Sequence, residues 1–389
     1  MLQVKSRQFA QEQGLYACIQ CGKCTGGCPM AMKTRLNPRL LIYRLLVSGN
    51  GFELEGREEI WDCTTCSTCT TRCPKKVDPM AMMVALRSLI VEKGRVHPNV
   101  KTALESTFRH GNPLTMPRED RAQWADGLGI KTFADDTEYL YYVGCTPSYD
   151  PRVKQVAQAL TQVLQQAELD FGILGVEENC CGSEVKRLGE AGLFEMMVEE
   201  TVEIYTQLGV KKMFTISPHC FNAFSHDYRL PASPSTNGGK STSVAGALVL
   251  HYTQVLANLI ETGRLAFHKD LNQVVTYHDP CYLGKHNGIF DEPRSVLKSI
   301  PGLQYVEMDR SREKSLCCEG GGGRMWLEGT NPGMRVAQVR VREALETGAN
   351  ILAVACPFCL LTLDEAVKGL NEQDRIKVMD ISEIAREAL

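Results

Sequence analysis

Apolar positions recur along the 389-residue chain in two different rhythms, and the change falls near residue 138. Up to about residue 110 the spacing is helical. Asn37-Pro38 reads as an N-cap followed by proline at the first helical position, and Leu41, Arg44 and Leu45 continue that helix. Asp78-Pro79 repeats the device, with Met83, Leu86 and Ile90 on one face. The methionines at 80, 82 and 83 are expected to be packing residues. Residues 111–137 lose the pattern among Pro113, Pro117 and a run of charges, and are expected to be a linker that wraps over a neighbour.

Beyond the linker, short apolar runs alternate with helical spacing, and the alternation occurs twice. Tyr139 to Gly144 reads as a strand leading to Cys145; Val153, Val156, Ala157, Leu160, Val163 and Leu164 follow at helical spacing. Next come Cys180-Cys181-Gly182, then Met213 to Ile216 leading to Ser217-Pro-His-Cys220. The second copy runs from Val274 to Tyr277 and on to Cys281, through Cys317-Cys318, then from Ile351 to Ala355 and Cys356-Pro-Phe-Cys359. The gaps nearly match: 34 and 35 residues from first cysteine to pair, 35 and 37 from pair to the final four-residue motif. This is a duplicated α/β unit. Strands alternating with helices predict mainly parallel sheets, with ligands at the strand ends. Residues 231–240, rich in Pro, Ser and Gly, and a helix through His251, Val255 and Leu259 join the copies. The predicted layout is α+β and multidomain: an all-helical region at 1–110, a linker at 111–137, and α/β units at 138–262 and 263–389.

Composition narrows the function. A formal net charge of −3 gives no reason to expect nucleic-acid binding. The first residues have no apolar core of signal-peptide length, and no run approaches the roughly 18 apolar residues of a spanning helix. The expectation is a cytoplasmic protein without a membrane span of its own, associated with a membrane only through partner subunits.

Seventeen cysteines then change the picture. In a large chain without an export signal, clustered cysteines point to metal, since a reducing compartment keeps thiols free. Cys18, Cys21, Cys24 and Cys28-Pro repeat as Cys63, Cys66, Cys69 and Cys73-Pro. Three thiolates at this spacing wrap one cubane while the fourth points to another. Cys18, Cys21 and Cys24 are thus expected to share one [4Fe-4S] cluster with Cys73, and Cys63, Cys66 and Cys69 the other with Cys28. A zinc site would need only four tetrahedral ligands, usually as two short knuckles.

The duplicated cysteine pattern resembles the cysteine-rich CCG domains of heterodisulfide reductases, and Cys18 to Thr25 with Trp61 to Cys69 resembles their small two-cubane subunit. The resemblance covers nearly the whole chain, as a fusion of the two. It implies a noncubane [4Fe-4S] cluster on the complete set Cys281, Cys317, Cys318, Cys356 and Cys359. That cluster would engage a disulfide or related sulfur substrate, with electrons passing through two cubanes from a flavoprotein or membrane cytochrome. The alternative is an electron relay, without disulfide chemistry of its own, between a dehydrogenase or flavin partner and a quinone or cytochrome. Two departures stand out. Glu319 follows the second pair where the family usually has glycine, with Gly320 to Gly323 expected to supply the close backbone approach. Ser217 replaces a cysteine in the first copy, and the remaining Cys145, Cys180, Cys181 and Cys220 suit a further iron-sulfur cluster, a zinc ion or a vestigial half.

Smaller signals are weighed against context. Gly239-Lys240-Ser241 looks like the end of a P-loop, but Pro234 stands at the first glycine and no strand precedes it. Gly320, Gly321, Gly322 and Gly323 follow a cysteine pair directly, so their amides are expected against cluster sulfides. Among His219, His278 and His286, His278 is the candidate acid-base residue; for the others a bond to a loop carbonyl is the more frequent role.

Overall fold

The computed structural model describes residues 3–49, 51–228, 244–327, 333 and 335–389. The expected loop at 231–240 and the Gly239-Lys240-Ser241 motif lie outside these residues.

The N-terminal region is helical apart from one antiparallel pairing of Gln3–Val4 with Phe52–Glu53. Pro38–Val47 begins at Asn37, whose side chain accepts from the Leu40 amide at 3.0 Å. Pro79–Val91 begins at Asp78, which accepts from the Met80 and Ala81 amides. Proline at the first position costs nothing, because first-turn amides have no helical partner. Leu41, Leu45, Met82, Met83 and Leu86 bury into a second core, which also takes in Leu188, Leu316 and Val336 of the later units.

Each α/β unit builds a parallel sheet. In the first, Tyr139–Tyr142, Phe171–Ile173, Lys212–Thr215 and Leu248–His251 lie in the spatial order second, first, third, fourth. In the second, Gln273–Tyr277, Leu303–Tyr305, Ile351–Val354 and Lys377–Asp380 take the same order. Shared strand order is the topological mark of the duplication. Since all pairs are parallel, the strands end on one edge, where Cys145, Cys181, Cys281 and Cys356 follow.

Residues 111–137 are more than a linker. Arg118–Ala125 coils in 3-10 turns that bury Trp124 edge-on to Tyr141 at 5.7 Å. Lys131–Thr132 adds a fifth strand beside Phe171–Ile173. A two-residue strand and a 3-10 coil are too short to leave a periodic signal.

The units pack on each other. Pro151–Gln166 lies against Ile381–Glu387, with Arg152 paired to Glu383 at 2.6 Å, and the Tyr252 hydroxyl donates to Asp380 Oδ1 at 2.7 Å. His219 and Phe358, which hold the same place in the two final motifs, meet edge to face at 4.9 Å. Two motifs far apart in sequence thus form one boundary.

Candidate metal centres

Two small cavities, each about 20 Å³, separate the N-terminal cysteines in a crossed pattern. One is lined by Cys18, Cys21, Cys24 and Cys73. The other is lined by Cys28, Cys63, Cys66 and Cys69, with Met80 and Met83 on its wall. Each cavity therefore takes three thiols from one motif and the fourth from the other. No cysteine is in a disulfide. Burial pushes the Cys63 thiol up to about 11, and burial with neighbouring thiol charge also raises Cys28 and Cys69. Thiolates cannot gather in such a place without positive charge, which bound iron would supply. The donor set fits the group.

The second α/β unit gathers its five cysteines at the carboxyl edge of its sheet. Cys317, Cys318, Cys356 and Cys359 are buried and Cys281 is half-buried. Cys359 Sγ donates to Cys318 Sγ at 3.3 Å, and donor atoms of His278, Cys318 and Cys359 all lie within 4.8 Å of one another. His278 is held by Arg340, whose Nε donates to its Nδ1 at 3.1 Å. Burial and Arg340 lower the histidine well below its ordinary range, so it is a neutral neighbour of the thiols. Cys317 touches Cys66 of the second cavity, and its Sγ donates to Thr64 Oγ1 at 3.4 Å. The five-cysteine site and the inner N-terminal cavity share a wall.

The glycine run behaves differently from expectation. Gly320 does aim its amide at Cys318. The next glycines instead face backbone: a Cβ on Gly321 would lie 2.9 Å from Thr64 O, and one on Gly322 would lie 2.5 Å from Cys63 O. They let the second unit press against the Cys63 loop, a tertiary contact that no local pattern could announce. Nor do they replace the missing glycine at 319. Glu319 itself adopts φ 70°, beside φ 67° for Gly182 in the first unit, and is anchored to Arg335 and the Ala337 amide.

In the first unit four thiols approach in a chain: Cys145 contacts Cys180, Cys180 contacts Cys181, and Cys181 Sγ donates to Cys220 Sγ at 3.2 Å. Ser217 caps the helix at the place Cys356 holds in the second unit. Arg121, from the segment read as a linker, directs both terminal nitrogens at Cys145 Sγ, each at 3.7 Å. It pairs with Glu178 at 2.7 Å, both side chains being buried, and Glu178 accepts from the Val143 and Gly144 amides.

The arrangement agrees with known proteins. The 4Fe-4S dicluster domain model matches residues 14–77, and the cysteine-rich domain model matches residues 139–225 and 275–364. A subunit of the dihydromethanophenazine:CoB--CoM heterodisulfide reductase of Methanosarcina barkeri is 34% identical over 100% of this chain and 97% of that one. The chain belongs to the heterodisulfide reductase family of iron-sulfur proteins. It is accordingly an iron-sulfur oxidoreductase. An EtfAB:quinone oxidoreductase of Syntrophomonas wolfei subsp. wolfei is 32% identical over 96% of this chain, which spans 58% of the length of that relative. A hypothetical protein from Helicobacter pylori shares the fold alone, with TM-score 0.50, 9% identity, and coverage of 99% of this chain and 71% of that one.

In this family frame, what sequence reading missed is how particular residues join the units. His219 of the first unit faces Cys356 of the second. Its Nδ1 lies 3.0 Å from Glu184 Oε1, its ring stacks on Tyr282 at 4.0 Å, and Tyr282 stacks in turn on His286 at 4.1 Å. Burial opposes protonation of His219, but bonds to Cys356 and Glu184 raise it to about 10. Against burial, bonds from Cys359 and His219 bring Cys356 down to about 5. His286 keeps the common role, bonded to Thr65 O at 2.9 Å. Arg87 is fully buried and donates to carbonyls of Ile60, Cys63, Arg187 and Gly322, one guanidinium tying three regions together. Its signal was present in the sequence: Arg87 sits four residues after Met83 and three before Ile90, on the apolar stripe. His219 was visible beside a cysteine motif, but nothing in the sequence announced that it faces Cys356 of the other unit.

No helix among the described residues is long and apolar enough to cross a membrane.

Proposed function

We propose that this chain carries electrons to a disulfide-reducing centre within a heterodisulfide-reductase-like complex. Cys18, Cys21, Cys24 and Cys73 hold the outer [4Fe-4S] cubane, and Cys28, Cys63, Cys66 and Cys69 the inner one. Cys281, Cys317, Cys318, Cys356 and Cys359 hold a noncubane [4Fe-4S] cluster, with His278 and Gly320 beside it. When bound, these groups supply one-electron carriers and an iron centre that can meet a substrate sulfur.

The observation that carries the reading is the contact of Cys66 with Cys317, which sets the inner cavity against the five-thiol site. The protein's part is positional. Glu184 fixes one His219 nitrogen, so the other faces Cys356 and can hold a proton at the atom nearest the thiols. Tyr282, Phe358 and the glycine run close the surroundings and keep water out. Cys281, half-buried where the others are buried, marks the side from which a small disulfide enters.

The test is EPR on anaerobically purified protein, oxidised with and without candidate thiols. A paramagnetic signal that needs a thiol, and that Cys317→Ser removes, is expected. Reduced cubane signals indifferent to every thiol would overturn disulfide chemistry. The likeness to the S. wolfei EtfAB:quinone oxidoreductase favours a second reading, a relay from a flavoprotein toward a quinone. Reduction by such a flavoprotein without any thiol response would support it.

A further inference from the structure

The outer cradle differs from the inner centres in what surrounds it. Cys21 is the one exposed cysteine of the seventeen, and of its cradle partners Cys18 and Cys73 are half-buried and Cys24 is buried, whereas in the inner set Cys28, Cys63 and Cys66 are buried and Cys69 is half-buried. Ile19, which lines it, is 57% exposed, and Tyr16, three residues earlier in the chain, is 61% exposed. Exposed large apolar side chains on one short segment are the usual content of a contact surface.

Charge marks the same face. Residues 1–50 hold seven Lys or Arg and one Glu, in a chain whose net charge is −3. Lys23, Arg39 and Lys75 line the cradle itself, and Lys23 and Lys75 are exposed. None of these three takes part in an ion pair among the described residues. A small apolar centre ringed by uncompensated positive charge has the anatomy of a transient interface, in which the apolar part packs and the rim steers.

We infer that this face docks an acidic electron-transfer protein, whose carboxylates meet Lys23 and Lys75 while the edge of its carrier packs on Tyr16 and Ile19. The inference rests on the proposed cluster at Cys18, Cys21, Cys24 and Cys73. The step moves one electron: the partner's carrier is oxidised by one electron, iron at this cradle is reduced by one, and no bond or proton changes there. A protein fits better than an anionic lipid surface. A bilayer surface brings no electron, and Tyr16 and Ile19 lie in a three-residue 3-10 turn, Leu15–Ala17, and the loop after it, not on an amphipathic helix.

The experiment follows reduction of the anaerobic holoprotein by stopped flow, using reduced flavodoxin as the acidic protein probe and photoreduced deazariboflavin as an uncharged small reductant. The flavodoxin rate constant is expected to fall about tenfold between about 0.05 and about 0.5 M salt. At low salt it is expected to fall by a similar factor in Lys23→Glu/Lys75→Glu, and to be unchanged in Lys377→Glu on the distant strand. The deazariboflavin rate is expected to stay the same in every variant. A flavodoxin rate indifferent to salt and to the charge reversal would overturn the docking proposal while leaving the cluster intact. So would an unchanged flavodoxin rate in a double variant that has lost binding to vesicles containing phosphatidylserine, because the face would then serve a lipid surface. If deazariboflavin reduces no iron signal at all, the cluster reading falls and the docking inference with it.

Discussion

At the end of Lys212–Thr215 the first α/β unit carries Ser217, and at the equivalent end of Ile351–Val354 the second carries Cys356. One atom of difference in the side chain goes with a different solution to the same electrostatic problem. Buried thiolates need positive charge nearby. The first unit has a built-in cation, Arg121, already balanced by Glu178. The second has five thiols, a neutral His278, and a histidine borrowed from the first unit. Duplication has thus left five thiols in the second unit and four in the first, with His219 reaching across where the repeat places Phe358.

Matched substitutions test that division most directly. Cys318→Ser is expected to remove iron from the second unit and lower disulfide reduction by more than about 100-fold, since even outer partners of metal ligands are worth about 10–100-fold. Cys181→Ser, its counterpart, is expected to leave that rate nearly untouched. Equal losses, in iron content and in viologen-linked turnover, would mean that both units act. Next in size is His219→Phe, which gives the first motif the residue that the second has at that place. It removes the hydrogen bond to Cys356, so the midpoint potential of the second centre is expected to fall, with activity about 10–100-fold lower. A potential unmoved in a redox titration would reduce His219 to packing.

The caps of the last helices offer a pH comparison. His251 and Asp380 hold equivalent places, and each caps the helix that follows. Burial lowers His251 to about 3 and raises Asp380 to about 7, so both are driven toward their neutral forms. The unfolded histidine takes up a proton below its ordinary value while the folded one does not, so this group favours folding less as pH falls from about 6.5 toward 3. The folded aspartic acid keeps its proton up to about 7, so its contribution declines as pH rises from its ordinary value near 4. The two slopes oppose each other between about pH 4 and about 6.5. Asp380→Asn is expected to leave stability rising with pH in that window, and His251→Gln to leave it falling, by no more than about 1.4 kcal/mol per pH unit. Denaturant midpoints at several pH values check this; parallel slopes in the two variants would sink it.

The smallest effect concerns the residue after each cysteine pair. Glu319→Gly relieves a left-handed backbone but gives up the contacts with Arg335 and Ala337, for a net change within about 1 kcal/mol. In the first unit Gly182→Glu is expected to cost about 2 kcal/mol or more, because a Cβ there would lie 2.8 Å from Phe194. Equal unfolding midpoints would show that the two turns are interchangeable.

Much of the molecule was legible because its determinants are local. Asn37-Pro38 and Asp78-Pro79 mark helix starts through the first-turn amides they cap or do not need. The repeated cysteine spacings forecast the crossed cavities, since short loops allow only three thiols to face one centre. Strand runs ending in cysteine, twice over, implied a duplicated parallel architecture. By contrast, residues 111–137 read as a connection because neither a two-residue strand nor a 3-10 coil has a period, although they carry Arg121 to the first site. The glycines after Cys318 read as cluster neighbours, yet three of the four serve the contact of one domain with another.

The grouping of the N-terminal cysteines, the helix starts and the repeat were therefore determined by the sequence alone, through short-range spacing and backbone chemistry. Only the tertiary structure decided that Cys66 meets Cys317, that His219 faces Cys356, and that Arg87 joins three regions. The reason is that those contacts arise from how completed units bury their faces against each other, at separations in sequence where neither periodicity nor propensity carries information.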